Sequence, residues 1–370
     1  MPTFEILNAS GQSVGDIDEF NYIWNRKYFE AGDFEIDAPA TQINIDCLIA
    51  KNIVLKPGAV ESGKIYSVRS NTDENGDRRI TAAGRFLSYM LKKHSIKYNF
   101  SFNGNAAQAM RILVDKTVIS GAADDIIDDL IITEDDTTAT FEGVIKKYTD
   151  LYDALVAIAY ASGVGFKIAY DVDQAKYIFS CYEAADRSID QTVNPVVEFS
   201  EEYDNIGQSE YNIDTDAEVN AVIAEYNGNM GNVVVTYNPT GATGKDKREI
   251  HITGDCVTQK AYRVKGDGSL EEYDVVDLVE TQKSLLALAK AAITGSAESF
   301  TGDINTAVTS YIYKTDYDIG DIVTVTNLKI GKTITQRITE ICEVYDENGT
   351  IIDVACGSRY PVIMDILKKK

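Results

Sequence analysis

Hydrophobic and polar residues alternate in short runs along the first 85 residues, which predicts β-strands. Gly, Asn and Asp, which tolerate positive φ, fill the turns between the runs. Several short strands at this spacing indicate that residues 1–85 form an N-terminal β-barrel. Trp24, the only tryptophan, is predicted to anchor its core, with an oligomer interface as the alternative. The predicted strands are 3–7, 17–24, 33–39, 47–55, 64–70 and 78–84.

Apolar residues take up a helical spacing after residue 85. The third predicted helix stops before Gly163, and glycine suits the left-handed cap at a helix end. Residues 86–195 are therefore predicted to form an α/β middle domain. Its predicted elements are helices at 85–94, 105–118 and 149–161 and strands at 165–172 and 176–184.

The strand pattern returns from residue 196. A helix over about 275–293 interrupts it, with charge on one side and Leu and Ala on the other. Asn348 and Gly349, between two strand-like runs, are a strong hairpin signal. Residues 196–357 are thus predicted to form a second β-barrel with a helical excursion, and residues 358–370 a basic C-terminal tail. The predicted strands are 196–200, 218–228, 232–238, 298–305, 321–327 and the two arms of the hairpin at 333–357.

The predicted fold class is α+β and rich in β-structure, with two small barrels around an α/β middle domain. A length of 370 residues suits about two to four domains, and 44% hydrophobic with 25% charged residues is an ordinary globular composition.

The chain is strongly acidic, with 58 acidic and 35 basic residues and a net charge of -23. Such a chain repels polyanions, which argues against a sequence-specific nucleic-acid binder. A protein that lines a conduit through which DNA slides without sticking would fit this sign. An ordinary acidic surface is the alternative.

The cysteine spacing and the N-terminal sequence bear on where the chain is made. No C-x-x-C pair is present, so neither a zinc cluster nor a disulfide framework is indicated, and reduced thiols made in a cytoplasm are predicted. The start has no signal region, and no apolar run approaches the roughly 18 residues of a membrane span. Neither Sec secretion nor a membrane anchor is predicted. The five cysteines are Cys47, Cys181, Cys256, Cys342 and Cys356.

Candidate catalytic residues are few. GQSVG at 11–15 matches the G-x-S-x-G of hydrolases, but that motif needs a helix after it and a strand is predicted here, which favours a hairpin turn. The chain has only two histidines. His94 lies at a predicted helix end, and His251 alternates with isoleucines in a predicted strand, so both are interpreted as structural. No catalytic residue is predicted.

Metal and cofactor motifs are incomplete. The acidic clusters at 124–129, 134–136 and 171–173 lack the Gly and the final Glu of a calcium loop. GATGKDK at 241–247 and GVG at 163–165 lack the full phosphate-loop and dinucleotide patterns. A carboxylate pair could act as a glycosidase, but sequence alone singles out no pair. No metal or cofactor is predicted.

Segments at both ends resemble the phage tail hub family known as Gp37-like. The stretch EFNYIWNRKYFEAGDFEIDAP is similar to the family's opening strands, and KIYSVRSNTDENGDRRITAAGRFLSYMLKKHSI is similar to its next hairpin and following helix. Near the C-terminus, YDIGDIVTV at 317–325 resembles its Y-D-x-G-D-x-V strand, and QRITEICEVYDENGTIIDVACG its closing hairpin. In the first stretch the residues that carry the likeness are Trp24, Tyr28, Gly32, Phe34 and Pro39.

The resemblance implies a structural hub of a tail tip or baseplate. Three subunits, each with two related barrels, would close into a pseudo-sixfold ring. The implied partners are the distal tail protein, the tape measure protein and a tail spike or fibre. The implied location is the tail tip of a virion or phage-like particle, assembled in the bacterial host cytoplasm. A tail-associated cell-wall-degrading enzyme and a receptor- or carbohydrate-binding tail protein are the alternatives.

Overall fold

The computed structural model describes most of the chain. The predicted turn residue Asn348 and the predicted tail 358–370 lie outside the described residues. The described residues are 3–18, 20–72, 76–134, 136–216, 218–228, 231–265, 269–295, 297–304, 311–327, 331–346 and 349–357.

The N-terminal region consists of strands and one short helix. The strand predicted at 47–55 is wrong in its first half, because a helix capped by Thr41 Oγ1 ends at Cys47 and a turn over residues 48–52 separates it from the strand Ile53–Leu55. The strand predicted at 17–24 is instead split between two strands. The elements are β1 (Phe4–Leu7), β2 (Ser13–Ile17), β3 (Asn21–Lys27), β4 (Asp33–Pro39), α1 (Gln42–Cys47), β5 (Ile53–Leu55), β6 (Ser62–Thr72) and β7 (Arg78–Phe86).

The middle region combines helices and strands, as predicted. The helix predicted at 85–94 is confirmed only over Leu87–Leu91, where it is a 3-10 helix, because β7 runs to Phe86. The helix predicted at 149–161 is confirmed, with Asp150 as its N-cap and Gly163 (φ 81°) as its C-cap. The elements are β8 (Phe100–Asn105), α2 (Ala106–Val114), which continues as a π-helical turn (Asp115–Ile119), β9 (Leu130–Ile132), β10 (Thr140–Ile145), α3 (Leu151–Ser162), β11 (Gly165–Asp171) and β12 (Lys176–Tyr182).

The last region returns to strands. The predicted helical excursion is confirmed as α4, which begins after the N-cap Asp277. The elements are β13 (Glu198–Ser200), β14 (Ile206–Asp214), β15 (Ala221–Gly228), β16 (Gly231–Tyr237), β17 (Glu249–Thr253), β18 (Thr258–Val264), β19 (Leu270–Val276), α4 (Leu278–Ala291), β20 (Ala297–Ile304), β21 (Ile322–Asn327), β22 (Lys332–Asp346) and β23 (Gly349–Gly357).

One large sheet joins the two ends of the chain. Its 13 described strands include the order β14-β20-β23-β22-β3-β4-β7-β6-β5-β1-β2. β21 also pairs with β22, and β13 pairs with β21. β3 and β22 are antiparallel neighbours, with Trp24 opposite Glu343. The fold is α+β and rich in β-structure, as predicted. The described strands do not close into two separate barrels, because the pairing of β3 with β22 makes both β regions one open sheet.

Three hydrophobic clusters lie in the described residues. Trp24 is fully buried in the N-terminal one, with its ring 5.9 Å from Phe4 and 4.7 Å from Phe86, which confirms it as a core anchor. The largest cluster surrounds α2 and α3 and includes Tyr28 of the first region and Tyr317 of the last. The third packs α4 on β15. The middle region therefore shares its core with both β regions.

Candidate functional site

Charged side chains are buried where the first and last β regions meet. Ion pairs of this kind are costly to bury unless each charge has a partner, so their arrangement indicates what holds the two regions together. We call this set the ionic network. Its buried charged members are Arg26, Lys56, Glu61 and Glu343, and the Tyr313 hydroxyl and the more exposed Lys314 and Asp318 contact them.

Arg26 on β3 is the centre of the network and is only 4% exposed. Its Nε and Nη2 donate to Glu61 Oε1 at 2.9 and 2.7 Å, and its Nη1 donates to the Tyr313 hydroxyl at 2.8 Å and to Asp318. Burial alone would lower the pKa of Arg26, but the charges of Glu61 and Asp318 outweigh it and raise the pKa. The guanidinium is therefore a permanent cation at this junction.

The second ion pair joins Lys56 to Glu343 of β22. The Lys56 ammonium also lies 4.7 Å from the ring centroid of Tyr22 and 5.6 Å from that of Trp24. The Tyr313 hydroxyl donates to Glu343 Oε1 at 3.1 Å, which links this pair to Arg26. Burial, assisted by Glu343, raises the pKa of Tyr22 to about 12. The network thus runs without a break from β3 through residue 313 to β22.

The YDIGD segment at 317–321 ties in the middle region. The Asp321 carboxylate accepts from the Ala185 amide and from Arg187 Nε, each at 2.9 Å, and from the Asp318 amide at 3.0 Å. These bonds hold the loop before β21 against the chain that leaves β12. The segment singled out by the family resemblance is therefore a structural joint between three regions.

Gly320 provides the close packing at this joint. Its φ is 92°, and a Cβ there would lie 2.1 Å from Cε2 of the Tyr28 ring. Tyr28 is fully buried, and its hydroxyl donates to the Gly163 carbonyl at 3.0 Å. Arg337 covers the same ring at 4.9 Å and donates to the Gly320 carbonyl. Only glycine fits this position without displacing the ring.

Sequence reasoning missed the ionic network. The alternation of β3 gave one usable signal, because Tyr22, Trp24 and Arg26 fall on the same buried face. Such a pattern predicts an inward arginine. Its partners Glu61 and Asp318 lie 35 and 292 residues away in the chain, and no local pattern connects them.

The residues considered for catalysis lie elsewhere. Ser13 opens β2 and pairs with Leu7 of β1, while Gly11 occupies the turn at φ 77°, which confirms the hairpin. His94 follows the 3-10 helix, with Nδ1 3.6 Å from Asp125. His251 lies on β17, as predicted, with Nε2 3.2 Å from Glu225. The structure places each histidine beside a different carboxylate.

The acidic clusters are engaged in local pairs. Asp125 forms an ion pair with Lys97 at 3.6 Å, and Asp129 accepts a hydrogen bond from Lys176 at 3.0 Å. In the acidic cluster 134–136, residue 135 lies outside the described part. Within the part of the chain that the structure describes, no group of three or more His, Cys, Asp or Glu side chains could hold a metal ion. No helix there is long and apolar enough to cross a bilayer.

All five cysteines are free thiols, as predicted. Burial raises the pKa of Cys356 to about 12, and burial together with Asp353 and Glu340 raises that of Cys342 to about 11. Both groups remain protonated at neutral pH, which suits packing better than nucleophilic chemistry.

Glu61→Gln is expected to change how stability depends on pH. Burial opposes the Glu61 carboxylate, but Arg26 more than offsets this and lowers its pKa below the ordinary 4.5. The unfolded chain therefore takes up this proton first, so the stabilisation is complete above about 4.5 and is lost as the pH falls through the folded value. Glu61→Gln lacks this pH-dependent stabilisation because glutamine carries no carboxylate. Urea unfolding at several pH values should show a stability gap between the two proteins that narrows towards acid, and a constant gap would contradict it.

Comparison with known proteins identifies the family to which this chain belongs. The family model described as Siphovirus ReqiPepy6 Gp37-like protein matches residues 3–358. The chain belongs to this family. The Gp37-like resemblance noted at both ends of the sequence is thereby confirmed. A search of curated proteins finds no match.

Three solved structures resemble the Gp37-like chain over nearly its whole length, each with a TM-score of 0.55. The tail protein from Neisseria meningitidis MC58 is 15% identical, with 98% of this chain and 99% of that chain covered. The 43 kDa tail protein of prophage MuSo2 from Shewanella oneidensis is 14% identical, with 96% and 98% covered. The prophage tail protein gp18 from Listeria monocytogenes EGD-e is 11% identical, with 100% and 98% covered. At these identities the likeness shows a shared fold.

The ionic network connects the first and last β regions of this Gp37-like fold. Its acids and bases are directed at one another across β3, the 313–318 segment and β22. Charge-assisted hydrogen bonds between distant segments fix geometry more strongly than neutral ones. These bonds help to hold the first and last β regions together in one sheet.

Proposed function

We propose that this protein is a structural hub of a phage or phage-like tail tip or baseplate. The observation that carries the proposal is the fold, which matches three tail proteins, two of them from prophages, over 96–100% of this chain and 98–99% of theirs. Membership of the Gp37-like family over residues 3–358 supports the same role. The proposed location is the tail tip of the particle, assembled in the bacterial host cytoplasm.

The proposed assembly is a homotrimeric, pseudo-sixfold ring. Each copy would contribute two β regions, residues 1–85 and 196–357, which share one large sheet and flank the α/β region 86–195. The large sheet supports this, because β2 and β14 are open edges and cyclic symmetry can cover edges without forming a filament. The ring would contact the distal tail protein, the tape measure protein and a spike or fibre. The net charge of -23 would suit a wall along which DNA slides.

The mass of the purified full chain tests the ring directly. Native mass spectrometry should find three chains, and negative-stain electron microscopy should show rings with a central opening. Co-purification with the distal tail protein of the same particle should add a second ring. A protein that stays a single chain, both alone and with that partner, would contradict the hub role.

The proposed hub carries no catalytic site of its own, so it should leave peptidoglycan intact. Zymography with cell walls of the bacterial host should show no clearing at the position of the full chain. Clearing there would support a cell-wall-degrading enzyme instead. Attachment of the isolated protein to host cells would support a receptor-binding protein.

A further inference from the structure

A cleft of 520 Å³ opens beside β6 and β7 and is not part of the ionic network. Its lining combines aromatic, basic and sulfur-containing side chains, the types that are enriched at the centres of protein interfaces. We call it the cationic groove and define it by Tyr66, Arg85, Tyr89, Met90 and Lys93.

A β-bulge directs an aromatic side chain to the groove. The register of β6 against β7 passes from Ile65 opposite Gly84 to Ser67 opposite Ala83, so Tyr66 is the extra residue. Bulges re-aim side chains and are common beside functional sites. Tyr66 is 48% exposed and meets the Tyr89 ring edge-on at 5.9 Å. The two rings form an open aromatic pair that an apolar side chain could contact.

Two of the three cations that line the cleft lack an ion-pair partner in the part of the chain that the structure describes. Among the described residues, Arg85 and Lys93 form no ion pair; Arg85 stacks on Tyr89 at 4.8 Å. Asp33, opposite Arg85 on β4, pairs with Lys27. The third cation, Lys92, is already paired with Asp153. The Lys93 amide, but not its ammonium, donates to Asp150 Oδ2 at 2.7 Å.

A further lysine adds to this positive surface. Lys64 lies opposite Arg85 on β6, and its pKa is lowered by burial and by the charge of Lys51. In a chain with a net charge of -23, such a concentration of uncompensated cations is unusual. An acidic ligand would complement it.

The groove adjoins an open strand edge. β5 pairs with β6 only over Ser62–Lys64, and beyond Tyr66 the described residues pair with β6 on its β7 side alone. Residues 66–72 are all exposed. An open edge of this kind can accept an added strand through main-chain hydrogen bonds, which a polypeptide can complete and a nucleic acid cannot. The acidic surface of the whole chain also repels nucleic acid at longer range.

We propose that the cationic groove and the adjoining edge of β6 bind an extended, acidic segment of a partner polypeptide. The segment adds as a strand beside residues 67–72, places a carboxylate between Arg85 and Lys93, and sets an apolar side chain against Tyr66. The chain's own C-terminal residues do not fit, since Lys368, Lys369 and Lys370 carry the wrong charge. This inference names a partner chemistry and does not require the proposed trimer.

Fluorescence anisotropy with a labelled peptide of alternating Asp and Ile tests the proposal on the full chain. Binding should be saturable, should weaken with added salt, and should fall about tenfold or more in the Arg85→Glu/Lys93→Glu variant. The control Lys245→Glu/Lys290→Glu makes the same charge change at two exposed positions outside the groove and should bind like the wild type. A peptide N-methylated at alternate residues should lose binding, since it cannot pair as a strand.

Each contrary result has a distinct meaning. Equal binding by the groove variant and the control variant, or no saturable binding, would overturn the proposal. Binding of a single-stranded oligonucleotide in place of the peptide would assign the groove to nucleic acid. Self-association that only the groove variant loses, without peptide binding, would assign it to a contact between copies. Thermal unfolding of every variant checks that each is folded.

Discussion

Replacing Arg26 with methionine is expected to lower the free energy of unfolding by about 3–5 kcal/mol, because removing one partner leaves buried charges uncompensated. Glu61 and Asp318 both depend on this guanidinium, and Glu61 is itself buried. Methionine keeps much of the side-chain volume, so the loss reports charge more than packing. Urea unfolding followed by the fluorescence of Trp24, the only tryptophan, reads the change two residues away on the same strand.

Arg69→Met is the matched control for this experiment. Arg69 makes the same type of pair with Glu35 at 3.3 Å, but its side chain is 69% exposed. Exposed pairs contribute about 0–1 kcal/mol, so the control should unfold almost like the wild type. Similar losses in the two variants would show that the ionic network is not what joins the first and last β regions.

The parts of the fold that sequence could predict are those set by local pattern. Helix α3 was predictable because an apolar run with helical spacing ends at a glycine that can adopt the left-handed cap. The hairpin at 11–15 was predictable because a strand follows its glycine-rich turn. In each case the deciding contacts lie within a few residues of one another.

The parts that sequence could not predict depend on distant contacts. The segment 47–55 has the composition of a strand, yet only Ile53–Leu55 forms one, and the turn that precedes it is bonded through Lys51 and Asn52 to Ile65 of β6. The predicted division into two barrels did not include the pairing of β3 with β22, two strands that lie more than 300 residues apart in the chain. Such pairing is set by which buried faces and charges fit together in three dimensions, and Arg26 gave no local sign of its partners.

Gly320→Ala is expected to destabilise the fold by about 2–5 kcal/mol, the sum of a left-handed backbone and an overpacked core. The added Cβ would lie 2.1 Å from Cε2 of Tyr28, a ring that is fully buried under Arg337. Because the ring hydroxyl is also bonded to the Gly163 carbonyl, it cannot shift without breaking that bond. The loss should appear in urea unfolding and as a lower thermal midpoint.

Gly58→Ala separates the two contributions in this prediction. Gly58 has a φ of 70°, and no atom lies within 4 Å of a Cβ built there, so alanine meets only the backbone cost of about 1–2 kcal/mol. The excess loss in Gly320→Ala then measures the contact with Tyr28. If the two variants unfold alike, the ring moves freely and Gly320 is not a packing constraint. A large excess loss of stability in Gly320→Ala would show that close packing against Tyr28, as well as the charge of Asp321, holds the YDIGD segment in place. Both contacts would then position the β22–β23 hairpin beside β3.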